Sequence, residues 1–430
     1  MMLRIFSALL GLILVTPGWT LAAESKTVTS QAMAFSADDL VRMAISDNSS
    51  VKSAEAQYQA ALHQIDQAYA PQDPQVSWSI NNSPTGLNHP TSNTLGISES
   101  FQFPGESWLQ GDEAHRTAEI ARLTYMAAAR DVRAQALTTY YQTLLDSAAV
   151  TIGAENTDSI TQVLHVVEVA YSASQAAQSD LITAEIALTQ SSQTVWASQV
   201  AEANDQAALN QVIDREPETP IEITGALELE PLGVSLADMK ERALAMRQEL
   251  LEAALTEKNA KTALKLARME ILPNFSLSYS RNRYILPSAP PSGDNAATPS
   301  DNTVSLGIDV PIFFWFKQTE DVNAASHLLE AARQNRSSVE IQTLTSVVQL
   351  YRSTVLAYKN AQLNKNMLIP LASQNFRVAL VAYQSKKVDF LTLSSALQGI
   401  YNARINYLTA ANQFLAGKVA LEQAIGAPLK

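Results

Sequence analysis

The chain contains no cysteine among its 430 residues. That absence excludes structural disulfides, a thiol nucleophile, thiolate metal ligands and a lipid-bearing cysteine behind an export signal. Basic residues are also few: 30 Lys and Arg stand against 42 Asp and Glu, giving a net charge of −12. Nucleic-acid phosphates are bound by basic faces, so we expect no nucleic-acid partner. An acidic surface or lumen favours cations instead.

Long hydrophobic runs are lacking except at the N-terminus. Arg4 precedes an apolar stretch over residues 5–15, Pro17 interrupts it, and small residues suited to cleavage follow at 20–23. This pattern predicts an export signal peptide over residues 1–23. A membrane anchor is the alternative interpretation, but the apolar run is far below the ~20 residues that span a bilayer.

Proline is confined mainly to residues 71–104, 217–231 and 273–311. The stretches between and after these zones are rich in Ala, Gln, Leu and Glu, which are good helix formers. One apolar stripe repeats at the 4, 3, 4, 3 spacing of a coiled-coil seam, through Leu344, Val348, Tyr351, Val355 and Tyr358. We predict helices at about 36–70, 106–171, 180–213, 235–270, 318–383 and 389–425.

The sequence also repeats itself. The segment FSADDL at 35–40 returns as VSLADM at 234–239, and PQVSWS at 74–79 returns as PNFSLS at 273–278. A shift of about 200 residues relates both pairs, which indicates an internal duplication. We predict a first structural repeat over residues 24–233 and a second over 234–430, each with a helix, two strands and long helices.

Apolar and small polar residues alternate in four segments, grouped at about 75–103 and 274–314. Period two with one apolar face predicts β-strands. A half-buried sheet in a soluble protein is one interpretation. The other is a membrane sheet with its apolar face toward lipid and its polar face toward a wet lumen, which we favour because the helices carry their own seams. We predict lipid-facing side chains at Trp78, Ile80, Leu277, Tyr279 and Leu306, and lumen-facing ones at Ser77, Ser79, Ser276, Ser278 and Asp309.

Four strands cannot close a membrane barrel, and an open strand edge is not tolerated in lipid. Several copies of the chain must therefore share one barrel. The predicted fold class is mainly α with a β-barrel part, built from a duplicated helix–strand–strand–long-helix unit.

Catalytic and cofactor motifs are missing. The five histidines lie far apart, and there is no HExxH, Gly-rich phosphate loop or GxSxG. Asp112, Glu113 and His115 have the spacing of a weak cation site, but acidic residues at a helix start need no ligand to explain them. We expect no enzyme activity, no cofactor and no metal site.

Several motifs together resemble one family. The segment GISESFQFPG (96–105) is similar to the Q-x-F-P-F-P-G-K segment of cation-efflux outer-membrane components. GIDVPIF (307–313) is similar to a strand end in the second repeat of that family, ARINYL (403–408) to its A-R-x-x-Y-L helix motif, and ALEQAIG (420–426) to its L-x-x-x-x-G ending. In this order, on a duplicated chain, they resemble TolC-type outer-membrane efflux proteins over essentially the whole mature length, nearest the cation-efflux branch.

The resemblance implies a homotrimer in the outer membrane of a Gram-negative bacterium. Three chains would form a 12-stranded β-barrel in outer-membrane lipid, continued by an α-helical barrel in the periplasm. The function implied is a passive exit duct of a tripartite efflux system, with a periplasmic adaptor and an inner-membrane pump of the resistance-nodulation-division type. Metal cations or small toxic compounds are the expected cargo. A periplasmic or secreted coiled-coil scaffold without a pore is the alternative.

The same resemblance implies two helix-hairpin tips that contact the adaptor, at residues 171–181 and 383–391. Ser174 and Lys386 stand where the family usually has glycine. An Asp just after each turn suits a helix N-cap, and the apolar residues behind it either dock the adaptor or merely pack within the helices. The predicted docking residues are Tyr171, Asp180, Leu181, Tyr383, Lys386, Asp389, Phe390 and Leu391.

Overall fold

The computed structural model describes residues 34–82, 90–284 and 300–429. The predicted signal peptide and the connection within each predicted strand pair lie outside these ranges. The order of two helices, two strands and long helices occurs twice. The elements are β1 (Ala34–Phe35), α1 (Ala37–Asp47), α2 (Ser49–Tyr69), β2 (Gln75–Asn82), β3 (Pro90–Phe101), α3 (Glu106–Ser172), α4 (Gln178–Val212), β4 (Glu222–Ile223), α5 (Leu236–Met246), α6 (Gln248–Met269), β5 (Asn274–Tyr284), β6 (Ser300–Asp309), α7 (Gln318–Leu363), α8 (Ile369–Gln384) and α9 (Phe390–Ile425).

Equivalent helices begin with equivalent caps in the two repeats. The Ser36 hydroxyl accepts the backbone N–H of Asp39 at 3.3 Å, and the Asp39 carboxylate accepts the Ser36 N–H in return. In the second repeat the Ser235 hydroxyl accepts the N–H of Asp238 at 3.2 Å. Such caps satisfy helix-terminal donors that would otherwise lack partners, so the duplicated motifs mark helix starts.

The long helices determine the length of the molecule. Helix α3 has 67 residues, or roughly 100 Å at ~1.5 Å per residue. Helices α2 and α4 pack along α3, and α6 and α9 pack along α7. Contacts of α3 with both α6 and α9 join the repeats, and ion pairs between Arg130 and Glu249 (2.7 Å) and between Arg133 and Glu422 (2.6 Å) cross the same boundary.

Pro370 accounts for an interruption between α7 and α8. Residues Asn364–Leu368 form a π-helical turn, and α8 resumes at Ile369 with Pro370 in its first turn. Proline lacks an N–H, so a helix that continues through it must rearrange the hydrogen bonds of the preceding turn. The single helix predicted over 318–383 is therefore interrupted by one π-helical turn just before this proline.

The predicted seam of α7 is present, but its centre differs from the prediction. All five large residues of the stripe are half-buried. The most deeply buried positions are smaller neighbours, because small side chains let an adjacent helix approach closely. Gly417 of α9 fits against Thr354 so tightly that a Cβ there would lie 2.5 Å from the Thr354 hydroxyl. The buried positions are Thr343, Val347, Thr354 and Ala357.

Strands from both repeats form one sheet in the order β2-β3-β5-β6, antiparallel throughout. Trp78 lies opposite Leu95, and Leu95 opposite Arg281, while Tyr279 lies opposite Val304. One end of this sheet adjoins the helices, and the other is the hairpin end. No helix within the described ranges is long and apolar enough to cross a membrane.

Candidate functional site

The sheet has one apolar face, which we call the outer face. Residues paired across antiparallel strands point to the same side, so the register groups the apolar residues of all four strands together. Trp78 is 71% exposed and Leu306 75% exposed, although both are large and apolar. Ile80, Leu277 and Tyr279 are exposed on the same face. The alternation therefore puts all five predicted lipid-facing residues on one surface that this chain does not cover.

The opposite, inner face carries small polar residues. Ser77, Ser79, Ser276, Ser278 and Asp309 all lie on it, as the alternation requires. Two glycines on this face have no room for a larger side chain. A Cβ on Gly96 would lie 2.8 Å from the Ser77 hydroxyl, and one on Gly307 would lie 2.5 Å from the Ser276 hydroxyl. Asp301, which no motif in the sequence marks, also lies on this face, an even number of residues before Asp309.

Strands β2 and β6 are the edges of the sheet, and within the described residues neither pairs with a further strand on its outer side. Unpaired N–H and C=O groups at a sheet edge are templates for pairing with another chain. Since β2 and β6 run antiparallel to each other, the β6 edge of one copy and the β2 edge of another can continue the alternating pattern.

An exposed aromatic cluster follows β6. Phe313 and Trp315 have ring centroids 5.9 Å apart, and Phe314 and Trp315 5.3 Å apart, both with edge-to-face geometry. Phe316 is 73% exposed, and Trp108 at the start of α3 is 67% exposed. These rings lie where the strands give way to the long helices.

The two helix hairpins end in turns of the same geometry. Ser174 has φ 56° and Lys386 has φ 59°, both in the left-handed region. The N–H of Ser174 bonds to the Tyr171 carbonyl, and that of Lys386 to the Tyr383 carbonyl, with a second bond from the next residue in each case. This is the Schellman pattern, in which glycine is usual. Serine and lysine thus adopt here the left-handed conformation that glycine usually takes.

The residues after the two turns differ in their roles. Asp389 is the N-cap of α9: its carboxylate accepts the Thr392 N–H at 2.9 Å and the Thr392 hydroxyl at 2.6 Å, and these bonds lower its pKa. Asp180 is not a cap, contrary to the interpretation from sequence. Helix α4 begins two residues earlier, at Gln178, with Ala177 at the N-cap position, so Asp180 lies in the first turn.

The tips share one core. Phe390 is 4% exposed and packs in a cluster with residues of α3, α4 and α8, with its ring 6.1 Å from that of Tyr383. Leu181 is half-buried against the same cluster. Leu391 is 67% exposed, and Tyr171 and Lys386 are exposed. Of the predicted docking residues, Phe390 is thus occupied in packing, because its ring fills the space between the two hairpins.

A cavity of about 450 Å³ lies between the hairpins, lined by Asp180, Tyr383 and Asp389 among others. Burial raises the pKa of Tyr383, and the nearby Asp180 carboxylate raises it further. Nothing near this cavity offers a metal site: within the described part of the chain, no group of three His, Asp or Glu side chains is placed to hold a metal ion. At the start of α3, the Asp112 carboxylate, which has cation-site spacing in the sequence, forms an ion pair with Arg116 at 2.7 Å.

The chain is similar to known proteins in part of its sequence and in its fold. Residues 240–427 match the family model described as outer membrane efflux protein, which confirms the resemblance drawn from the motifs. No curated protein sequence matches the chain. Among solved structures, CusC is 17% identical, with a TM-score of 0.77 over 91% of this chain and 92% of that one.

Two further structures are similar. The CmeC outer membrane channel of Campylobacter jejuni is 16% identical (TM-score 0.75, 92% of this chain and 86% of that one). The outer membrane protein VceC of Vibrio cholerae is 14% identical (TM-score 0.75, 92% and 97%). At these identities the likeness shows a shared fold.

Proposed function

We propose that the chain is the outer-membrane exit duct of a tripartite efflux system. The observation that carries this proposal is the sheet. It has an apolar outer face, a polar inner face and two open edges, and it adjoins the long helices. An exposed apolar face and a small polar face suit lipid on one side and water on the other. The family match and the shared fold with outer membrane channels support the same function.

Three copies complete the duct in this proposal. A 4-stranded sheet in each copy supplies a 12-stranded barrel, within the size range of membrane barrels. Closure satisfies both open edges, and the aromatic cluster after β6 lies at the periplasmic boundary of the membrane. Residues 1–23 direct export, and residues 24–233 and 234–430 are the two repeats that alternate around the trimer.

The helix-hairpin tips meet the partners. With the barrel in the outer membrane, the tips are the far end of the rod in the periplasm, where an adaptor can bind. Exposed Leu391 and Lys386 offer it an apolar and a basic contact. The pump behind the adaptor, of the resistance-nodulation-division type, supplies the energy, and the duct itself is passive and not an enzyme.

Metal cations or small toxic compounds are the proposed cargo. The motif at 96–105 favours the cation-efflux branch. In addition, Asp301 and Asp309 are the charged side chains of the inner face within the described strands, and both are negative. Carboxylates that line a pore favour cations.

The second candidate function is a pore-free periplasmic scaffold. The discriminating experiment is fractionation of cells that express the chain, followed by recording of the purified protein in a planar bilayer. A duct should fractionate with outer membranes, need detergent for extraction and conduct ions. Release by osmotic shock, or no conductance from correctly assembled protein, would favour the scaffold.

A further inference from the structure

Two arginines interrupt the apolar outer face of the sheet. Arg281 and Arg283 lie two and four residues beyond Tyr279 in the unbroken register of β5, so they share its face. Both are exposed. They lie near the hairpin end of the sheet, far from the helices. The apolar alternation of β5 ends at Tyr279, but the two-residue spacing continues to both arginines.

The arginines border a groove of about 500 Å³ on the outer face. The register explains its composition: Arg281 lies opposite Leu95, which lies opposite Trp78, and Arg283 lies between Asn93 and Ser300. The groove therefore joins two guanidinium groups and neutral polar groups to the apolar side chains of Trp78 and Leu95. It is lined by Trp78, Asn93, Leu95, Arg281, Arg283 and Ser300.

No carboxylate of the described strands lies beside the arginines on their own face: Asp301, which pairs with Asn282 between them, lies on the inner face. Neither arginine forms an ion pair with a described carboxylate. Glu99 is the carboxylate on this face of the described strands, and its partner Leu277 is four residues from Arg281, roughly 13 Å along the strand. A lipid-facing arginine is costly at mid-membrane but nearly neutral at the interface, where headgroups lie.

We infer that this groove binds the phosphate of an anionic lipid headgroup in the outer leaflet. The inference rests on the proposed function, which places the helices in the periplasm and hence the arginines at the outer surface. The guanidinium fork matches a phosphate in charge and geometry. The Trp78 ring suits the interface, and the outer face continues from the groove toward the membrane interior with apolar residues such as Ile97 and Tyr279, which an acyl chain can contact.

The test is native mass spectrometry of the assembled protein in a neutral detergent. Phosphatidylglycerol is titrated against phosphatidylcholine, in which choline neutralises the phosphate, and against inorganic phosphate. The variant is Arg281→Gln with Arg283→Gln. The matched control, Arg42→Gln with Arg377→Gln, removes two exposed arginines from the helical part. We expect retention of phosphatidylglycerol to weaken about tenfold or more in the groove variant and to stay unchanged in the control.

Three results would overturn the inference: equal retention by the groove variant and the wild type, equal retention of the two lipids, or displacement of the lipid by an equal concentration of inorganic phosphate. If the groove variant fails to assemble, Arg281→Lys with Arg283→Lys keeps the charge but loses the fork, and retention should be intermediate. Unchanged retention in that variant would also contradict the inference. Outer-membrane fractionation and conductance, measured in parallel, separate its failure from failure of the proposed duct.

Discussion

Asp205 of α4 faces Asp146 of α3 in an unusual acidic contact. Burial, and then the adjacent Asp146 carboxyl, raise the pKa of Asp205 to about 7. Asp146 is held in place by Gln142, whose amide donates to it at 3.0 Å, and Gln142 in turn accepts from Asn412 of α9 at 2.8 Å. A protonated Asp205 can donate a hydrogen bond to Asp146, whereas two carboxylates repel each other.

We expect this contact to make stability depend on pH. Between about pH 4 and 7 the folded chain keeps a proton on Asp205 that the unfolded chain has lost, so the free energy of unfolding falls as pH rises through this window. Asp205→Asn should flatten the dependence and raise the thermal midpoint at about pH 8. The exposed Asp158→Asn on α3 is the control. A variant at Asp205 with the wild-type pH profile would contradict the assignment.

At the scale of elements, neighbouring residues of one strand lie on opposite faces of the sheet. Leu277 belongs to the outer face and Ser278 to the inner face. Leu277→Arg should destabilise the assembled barrel by ~2–4 kcal/mol if the position lies near mid-membrane, because a charge there loses its hydration. Ser278→Arg faces water and should be tolerated. Heat-modified gel mobility of the outer-membrane fraction measures assembly, and equal defects in the two variants would argue against the assignment of faces.

The second tip gives a cleaner test of adaptor docking than the first. Leu181 packs partly into the shared core, so changing it risks the fold, whereas Leu391 is largely exposed. Leu391→Glu should abolish efflux with normal protein in the outer membrane, because a carboxylate would meet an apolar contact on the adaptor. Leu328→Glu, on an equally exposed leucine of α7, is the control. Full cargo resistance with Leu391→Glu at normal level would remove the docking role.

At the scale of the whole molecule, the open edges and the absence of cysteine allow a direct test of closure. Ser79→Cys on β2 can be combined in turn with Thr303→Cys or Ser305→Cys on β6, since the register between copies is not fixed by one chain. We expect one combination to form disulfides between copies and to yield cross-linked species that stop at three chains. Ladders beyond three would indicate an open array, and no cross-link from any combination would contradict the paired edges.

The sequence by itself determined the local elements of this protein and the faces of its strands. Alternation along β2 and β5 assigned Trp78 and Ser278 to opposite sides, and the capping motif at Ser36 marked a helix start. These features depend on neighbours a few residues away, which a linear pattern records. The internal repeat also predicted that the same order of elements would occur twice.

Only the tertiary structure decided how these elements meet. It buried Phe390 between the hairpins while exposing Leu391 beside it, moved the centre of the α7 seam to small residues such as Thr354, and placed Asp205 against Asp146. It also brought Trp78 of the first repeat and Arg281 of the second to one groove. These outcomes depend on contacts between residues far apart in the chain, where the space left by a packing partner decides which side chain is buried, and no local period encodes that space.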